Sequence, residues 1–478
     1  MSVLDTSKKV FYYFEEITKI PHGSYNEKAI CDYVENFAKE RGLKYFRDEM
    51  HNIIVYKDAT PGYEDHAPVM LQGHLDMVNE KNNDSDHDFD KDPLNLYIED
   101  GWLHARGTTL GADDGVAVAY MLSVLDDDTA AHPALDCVFT VQEEVGLFGA
   151  GNIKAENIRA RRMIGMDSGG EVVTAVSASG GRRTIVSKEI TMEANDWPGY
   201  QLDITGLLGG HSGGCIAMER GNSNKLALRI LHDLQIRGVN IRLIHLHGGL
   251  KENAIPRECT IQFASDCPQE ELTAKIAESK EKIAGELEFS DAGFAVSLKG
   301  LENADQAMPL SLSSDIIRMI YLLPNGFKAR SMKIEGLTTV SLNLGVLRTE
   351  EGKVTCFFSI RSPMKSAIEQ LSDEIDEIAS IFGASTKHAA DYPGWNYEEV
   401  SPMRELMKGV IKDCFGKELQ EHAGHGGLET GVFKGEMPDL DIVTFGPISK
   451  GAHTPDECLN LASFEKCYGV LLEFLKRL

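Results

Sequence analysis

The sequence predicts an α/β protein in which a mixed sheet with helices on both faces is interrupted by an inserted α+β domain. Two observations carry this. Apolar β-rich runs at residues 52–56, 69–72, 135–141, 163–166 and 441–445 do not alternate with polar residues, the pattern of strands covered on both faces. The interval between Asp167 and His453 is too long for a loop, so most of it must form a domain of its own. At 478 residues the chain also exceeds what one ordinary core organises. The expected division is a host domain of residues 1–185 and 393–478 and an insert of residues 186–392.

The elements follow in order. Residues 6–19 are apolar at helical spacing and stop before Pro21, and Ser24 with Glu27 forms a capping-box pattern opening a helix toward Gly42. After the strands at 52–56 and 69–72, Asp113 precedes an apolar helix that begins at Gly115. The run 135–141 ends at Gln142-Glu143-Glu144, and the run 163–166 ends at Asp167. The last run, 441–445, leads to a loop carrying His453 and a terminal helix ending at Leu478. In the insert, strands at 241–247 and 254–265 precede a helix at 268–287, and strands at 338–347 and 353–360 precede a helix at 364–382. That weak repeat suggests two related β-β-α subdomains.

A net charge of −26 makes nucleic acid and anionic membranes poor partners, since both need a basic surface. No apolar stretch approaches the length of a membrane span, and the first residues lack the apolar run of a signal peptide. The nine cysteines are scattered singly with no C-x-x-C pair, which favours reduced thiols in a cytoplasmic protein.

Chemistry enters at the strand ends. His74, Glu143, Glu144 and Asp167 fall at or just past the ends of expected buried strands, the edge at which open α/β sheets bind ligands. A lone histidine finishing a strand is ordinary, but Asp76 follows His74 by two and could receive the imidazole N–H that a metal leaves unused. Asp113 has a plain reading as a helix N-cap. Its carboxylate could also bridge two cations, and Asp114 is an alternative ligand on local grounds. Adjacent carboxylates at 143 and 144 repel unless cations or donors balance them. One can hold a metal while the other serves as general base toward water activated there. With His453, the set supplies enough donors for two divalent ions.

The motifs Gly73-His-Leu-Asp76, Gly111-Ala-Asp-Asp-Gly115, Glu143-Glu144, Asp167-Ser and His453 resemble the co-catalytic metallopeptidases that include aminoacylases, carboxypeptidases and di- and tripeptidases. Arg106–Gly115, Gly209-Gly-His-Ser-Gly213 and Asn253-Ala-Ile-Pro-Arg257 look most like the aminoacyl-histidine (peptidase D) branch of that family, nearly end to end. The resemblance implies a zinc-exopeptidase-like catalytic domain with a lid insert. It also implies two divalent ions, zinc with manganese and cobalt as alternatives, and cleavage of Xaa-His and carnosine-like dipeptides. It places His74 and Glu144 on opposite ions, Asp113 (the first of the pair) between them, Asp167 beside one ion and His453 closing the shell. Asp76 would orient His74, Glu143 would be the general base, and a cis peptide would stand beside the bridging aspartate. In the lid, His211 would stabilise the oxyanion, Asn253 would contact the same region, and Arg361 would bind the substrate carboxylate. Residues 425–429 resemble a segment lining the substrate pocket. An N-acyl amino-acid deacylase, another di-metal aminopeptidase or tripeptidase, and a non-catalytic binding protein are the alternatives. Monomer and homodimer are both compatible with the sequence.

Overall fold

The computed structural model describes residues 2–302 and 304–478. It divides into two compact units. The catalytic unit comprises the chain up to Ala178, Trp395–Ala423 and Leu428–Leu478; the inserted unit comprises Ser179–Gly394 and Gly424–Gly427. The expected join at residue 185 falls inside the Gly180–Glu189 strand, which pairs along its whole length with Lys353–Ser362 and so belongs to the insert.

In the catalytic unit six strands lie in the order Lys44–Arg47, Ile53–Lys57, Leu135–Thr140, Val69–His74, Arg162–Gly165 and Asp441–Thr444. The last four are mutually parallel, and Ile53–Lys57 pairs antiparallel with the strand on either side of it, so the sheet is mixed. Side chains alternate between the two faces. Ile53, Val55, Val69, Leu71, Cys137 and Phe139 enter one core, which is closed by the helices Lys9–Ile17, Ala112–Leu125 and Leu461–Arg477. The intervening Ile54, Met70 and Val138 enter a second core, closed by Phe148–Asn152 and Glu429–Glu436. Both faces need apolar residues, and this is why the runs in the sequence do not alternate.

Gly73, one residue before the strand end, lets the Ala112–Leu125 helix approach closely. A Cβ there would overlap Ala117 Cβ and Asp114 Oδ2. The helix covering Lys28–Glu40 starts without the expected capping box. Ser24 Oγ instead donates to the Asp76 carboxylate at 2.7 Å, and Glu27 Oε1 accepts from Tyr25 N at 2.9 Å. The hydroxyl is turned to a buried carboxylate, a charge-assisted acceptor, and among the described residues no N–H of the first helical turn donates to it.

The inserted unit is built on one nine-stranded sheet. The repeats Arg242–Gly248, Cys259–Ala264, Gln269–Glu286 and Thr338–Glu350, Lys353–Ser362, Lys365–Ile381 stand side by side. They join through antiparallel pairing of His247 with Arg348. Four helices, Ser223–Ile236, Gln269–Glu286, Leu310–Leu322 and Lys365–Ile381, supply residues to its single core. The two ends of the insert are tied within the catalytic unit: Ala178 N donates to Trp395 O and Trp395 N to Ala178 O, each at 2.9 Å.

Candidate functional site

Parallel pairing aligns three strand ends in the catalytic unit. His74 is the last residue of its strand, Glu143 and Glu144 follow the Leu135–Thr140 strand, and Asp167 follows Arg162–Gly165. Asp113 and His453 arrive from loops. Their donor atoms form three groups, each with its atoms within 4.8 Å of one another: His74, Asp113 and Asp167; Asp113, Glu144 and His453; and His74, Glu143 and Glu144. Asp113 belongs to the first two. Its Oδ1 lies 3.0 Å from His74 Nε2 and its Oδ2 3.2 Å from His453 Nε2, so each oxygen addresses one histidine. Glu144 Oε1 is 3.0 Å from His453 Nε2.

The local backbone explains why Asp113 and not Asp114 turns outward. The peptide between them is cis, and both depart from helical geometry. Asp114 Oδ1 accepts from Ala117 N at 3.4 Å in the N-cap manner, so the capping role falls to Asp114. Asp113 is left facing the two imidazoles.

Asp76 behaves differently from expectation. His74 Nδ1 lies 2.9 Å from the Asp76 backbone carbonyl, whereas the Asp76 carboxylate is 3.7 Å away, outside hydrogen-bond reach. A carbonyl acceptor at Nδ1 puts a proton on that nitrogen, so Nε2, which faces Asp113, is the nitrogen a cation would take in place of a second proton. The carboxylate instead accepts Glu143 N at 3.0 Å, Glu144 N at 3.3 Å and Ser24 Oγ at 2.7 Å. It therefore holds the turn that presents the two glutamates. Free backbone donors in that turn outcompete an imidazole already served by a carbonyl.

Two further buried carboxylates support these elements: Glu457, which no sequence motif marks, and Glu429, the last residue of the 425–429 segment. Glu457 accepts four consecutive backbone N–H groups: Leu110 (2.7 Å) and Gly111 (3.0 Å) at Oε2, Ala112 (2.9 Å) and Asp113 (3.2 Å) at Oε1. It ties the segment that carries His453 to the turn that carries Asp113. Its position four residues after His453 is the only sequence signal. Glu429 accepts from Gln72 Nε2 at 2.5 Å and Thr140 Oγ1 at 2.7 Å, at the ends of two site-bearing strands.

The electrostatics test whether cations fit. Burial, aided by the charge of Asp113, pushes Asp167 up to about 7; burial, aided by Asp167, Glu429 and Glu144 against the relief of His74, pushes Glu143 up to about 9. Burial likewise pushes Glu429 up to about 8. Hydrogen bonds to Asp113 and Glu144 raise His453 to about 10. His74 is raised well above its ordinary value, since the Asp113 bond and the surrounding carboxylates overcome its burial. Protons are thus pulled in to balance clustered negative charge, and Glu144 Oε1, buried beside His453, has no other partner. Divalent cations satisfy the same demand with the N and O donors they prefer.

In the inserted unit, Gly210–His211 pairs antiparallel with Ala254–Ile255, and Ser212 N donates to Asn253 O at 2.8 Å, so His211 and Asn253 share one ribbon. His211 Nδ1 accepts from Gly213 N at 3.2 Å, which places the neutral ring's proton on Nε2. Burial and the nearby Arg361 charge lower its pKa. Arg361 is 8% exposed and, among the described residues, has no carboxylate partner; its Nε is buried without any. His425, in the 425–429 segment, is buried between Ser179 Oγ (2.8 Å from Nδ1) and Ser341 Oγ (2.7 Å from Nε2). Burial and Arg361 drop it to about 4, so it is neutral.

Residues 70–477 match the profile of peptidase family M20/M25/M40. The chain belongs to this family. The M20 peptidase is 36% identical over 469 residues to the cytosol non-specific dipeptidase of Escherichia coli K12, covering 97% of this chain and 96% of the relative. It superposes on the crystal structure of aminoacylhistidine dipeptidase from Vibrio alginolyticus with a TM-score of 0.91 at 33% identity, covering 100% of this chain and 98% of that one. The aminopeptidase PepT of Bacillus cereus, at 16% identity and a TM-score of 0.55 over 98% of this chain and 97% of that one, shares the fold. The chain is accordingly a metallopeptidase, a hydrolase acting on peptide bonds, with a cluster able to hold divalent metal. Among the described residues, no helix is long and apolar enough to cross a membrane. All nine cysteines are free thiols.

Proposed function

We propose that this M20 peptidase is a dinuclear zinc dipeptidase of the cytosol that hydrolyses dipeptides with a free C-terminal carboxylate, Xaa-His among them. The observation that carries it is Asp113, which belongs to two donor groups, one with His74 and Asp167 and one with Glu144 and His453, and turns a different oxygen to each histidine. Two divalent ions held there would supply Lewis acidity to the scissile carbonyl and acidify water.

The residues divide the remaining work. Glu143 adjoins the ligand Glu144 but is not needed to complete either group, which leaves its carboxylate to accept a proton from the attacking water and return it to the departing amine. Asp76 acts through the turn it holds, fixing Glu143 and Glu144. His211 offers Nε2–H to the developing oxyanion. Asn253 supports the His211 ribbon and contacts substrate with it. Arg361, a buried cation with no carboxylate partner among the described residues in a chain of net charge −26, takes the substrate carboxylate. Residues 425–429 line the substrate site. The names of the relatives, a non-specific dipeptidase and an aminoacylhistidine dipeptidase, support the dipeptide as substrate class.

A dipeptide panel including Xaa-His and β-alanyl-histidine tests this, assayed on metal-stripped enzyme reloaded with zinc, manganese or cobalt. Hydrolysis of dipeptides well ahead of N-acyl amino acids and tripeptides is expected. Preference for N-acyl amino acids would overturn the reading in favour of a deacylase.

A further inference from the structure

Three neighbouring strands of the inserted sheet place Arg361, Gly181 and Tyr392 in one row: Arg361 pairs with Gly181, and Gly181 pairs with Tyr392 after a register shift. Directly paired residues of antiparallel strands project from the same face. The middle residue has no side chain, and a Cβ on it would lie 2.5–2.6 Å from Tyr392 ring atoms. The tyrosine ring therefore lies across Gly181 and brings its hydroxyl to Arg361, 3.4 Å from Nη1. That contact fixes the direction of the hydroxyl. A guanidinium only donates, so the phenol oxygen faces it as acceptor and its own O–H points elsewhere. Among the described residues, no acceptor takes that proton. Of the two histidines near Arg361, His425 has both ring nitrogens occupied by Ser179 and Ser341, and His211 has its Nδ1 occupied by Gly213 N. The row thus presents a guanidinium and a phenol O–H with no acceptor between them, the donor set of a carboxylate site.

We propose that Tyr392 is a substrate-binding residue whose hydroxyl donates to the same C-terminal carboxylate that Arg361 binds. This rests on the reading of Arg361 given above. The charged anchor supplies most of the attraction, and the tyrosine supplies a second, directional donor that distinguishes a carboxylate from a carboxamide or a continuing peptide bond.

The test compares wild type, Tyr392→Phe and Arg361→Ala on one dipeptide and its C-terminal amide, reading kcat and KM separately. Phenylalanine keeps the ring against Gly181 and removes only the donor. Losing one hydrogen bond to a charged group should raise the dipeptide KM about 10- to 100-fold. The kcat should be little changed, and the preference for carboxylate over amide should narrow. If Arg361→Ala raises KM while Tyr392→Phe leaves KM and the preference untouched, the tyrosine assignment is wrong and the arginine reading stands. If Arg361→Ala itself leaves KM unchanged, the underlying reading falls. A Tyr392→Phe effect confined to kcat would also overturn the assignment.

Discussion

In the catalytic unit, carboxylates crowd together at the strand ends with too little positive charge to balance them; in the inserted unit one buried guanidinium, Arg361, has no carboxylate partner among the described residues. Asp167 and Glu143 are pushed up to about 7 and about 9 because burial and like charge leave their anionic forms unbalanced. Arg361 is equally buried, yet two nearby histidines are driven neutral and none of the described residues offers it a carboxylate. An uncompensated buried charge is costly, and a fold retains one where a ligand of opposite sign supplies the balance. On the function proposed above, the catalytic unit is prepared for cations and the inserted unit for an anion. Each imbalance identifies its ligand class better than the residue types alone.

The contrast can be broken from either side, and the largest effect is expected at Glu143. Glu143→Gln removes a proton acceptor without removing either donor group. Turnover should fall about 10²- to 10⁴-fold, with metal content unchanged by elemental analysis; retained turnover would show that the base is elsewhere. Arg361→Ala should come next, raising KM for dipeptides about 10²- to 10³-fold with a smaller change in kcat. Glu457→Gln probes the support of the metal side. A carboxamide cannot accept at both ends, so two of the four backbone N–H groups would face another donor. Metal affinity should weaken about 10- to 100-fold by titration, as for other groups that orient ligands; unchanged affinity and an unchanged cobalt absorption spectrum would count against the clamp.

The smallest effect is a pH dependence confined to the inserted unit. His425 titrates near 4 in the fold and near its ordinary 6.5 when unfolded. Between those values the unfolded chain binds the extra proton, so stability is full above about 6.5 and declines as pH falls toward 4. At pH 5 the deficit is on the order of 2 kcal/mol. His425→Gln should flatten the wild-type loss of thermal midpoint between pH 7 and pH 5, measured by calorimetry; parallel slopes would refute the assignment.

Much of this was legible in the sequence because strand ends are legible. Unalternated runs ending at His74, Glu143 and Asp167 mark one edge of a two-faced sheet, and parallel pairing does the rest. Less legible was where a side chain turns once its strand has ended. Asp76 lies two residues past His74, yet its carboxylate goes to the amides of Glu143 and Glu144, because those distant donors had no other acceptor. Ser24 reads as a helix cap and becomes a partner of Asp76 for the same reason. Glu457 was silent, since an anion cradled by main-chain N–H groups leaves no pattern in the side chains of residues 110–113. Tyr392 sits on an edge strand among polar residues, and only the register brings it opposite Gly181. The join near residue 185 was misplaced because a strand that starts a new domain carries no composition change.

The reciprocal hydrogen bonds between Ala178 and Trp395 have a consequence for how such a chain can be remodelled. To the catalytic unit, residues 179–394 present themselves as a hairpin connection whose ends are already closed. The entropy of closing that connection grows only slowly with the length of what lies between its ends, about 0.6 kcal/mol for each doubling. An insert attached in this way can be enlarged, shortened or exchanged for another anion-binding module while the sheet edge bearing His74 keeps its register. Replacing residues 179–394 with a short turn is the direct route to a free-standing metal-binding scaffold.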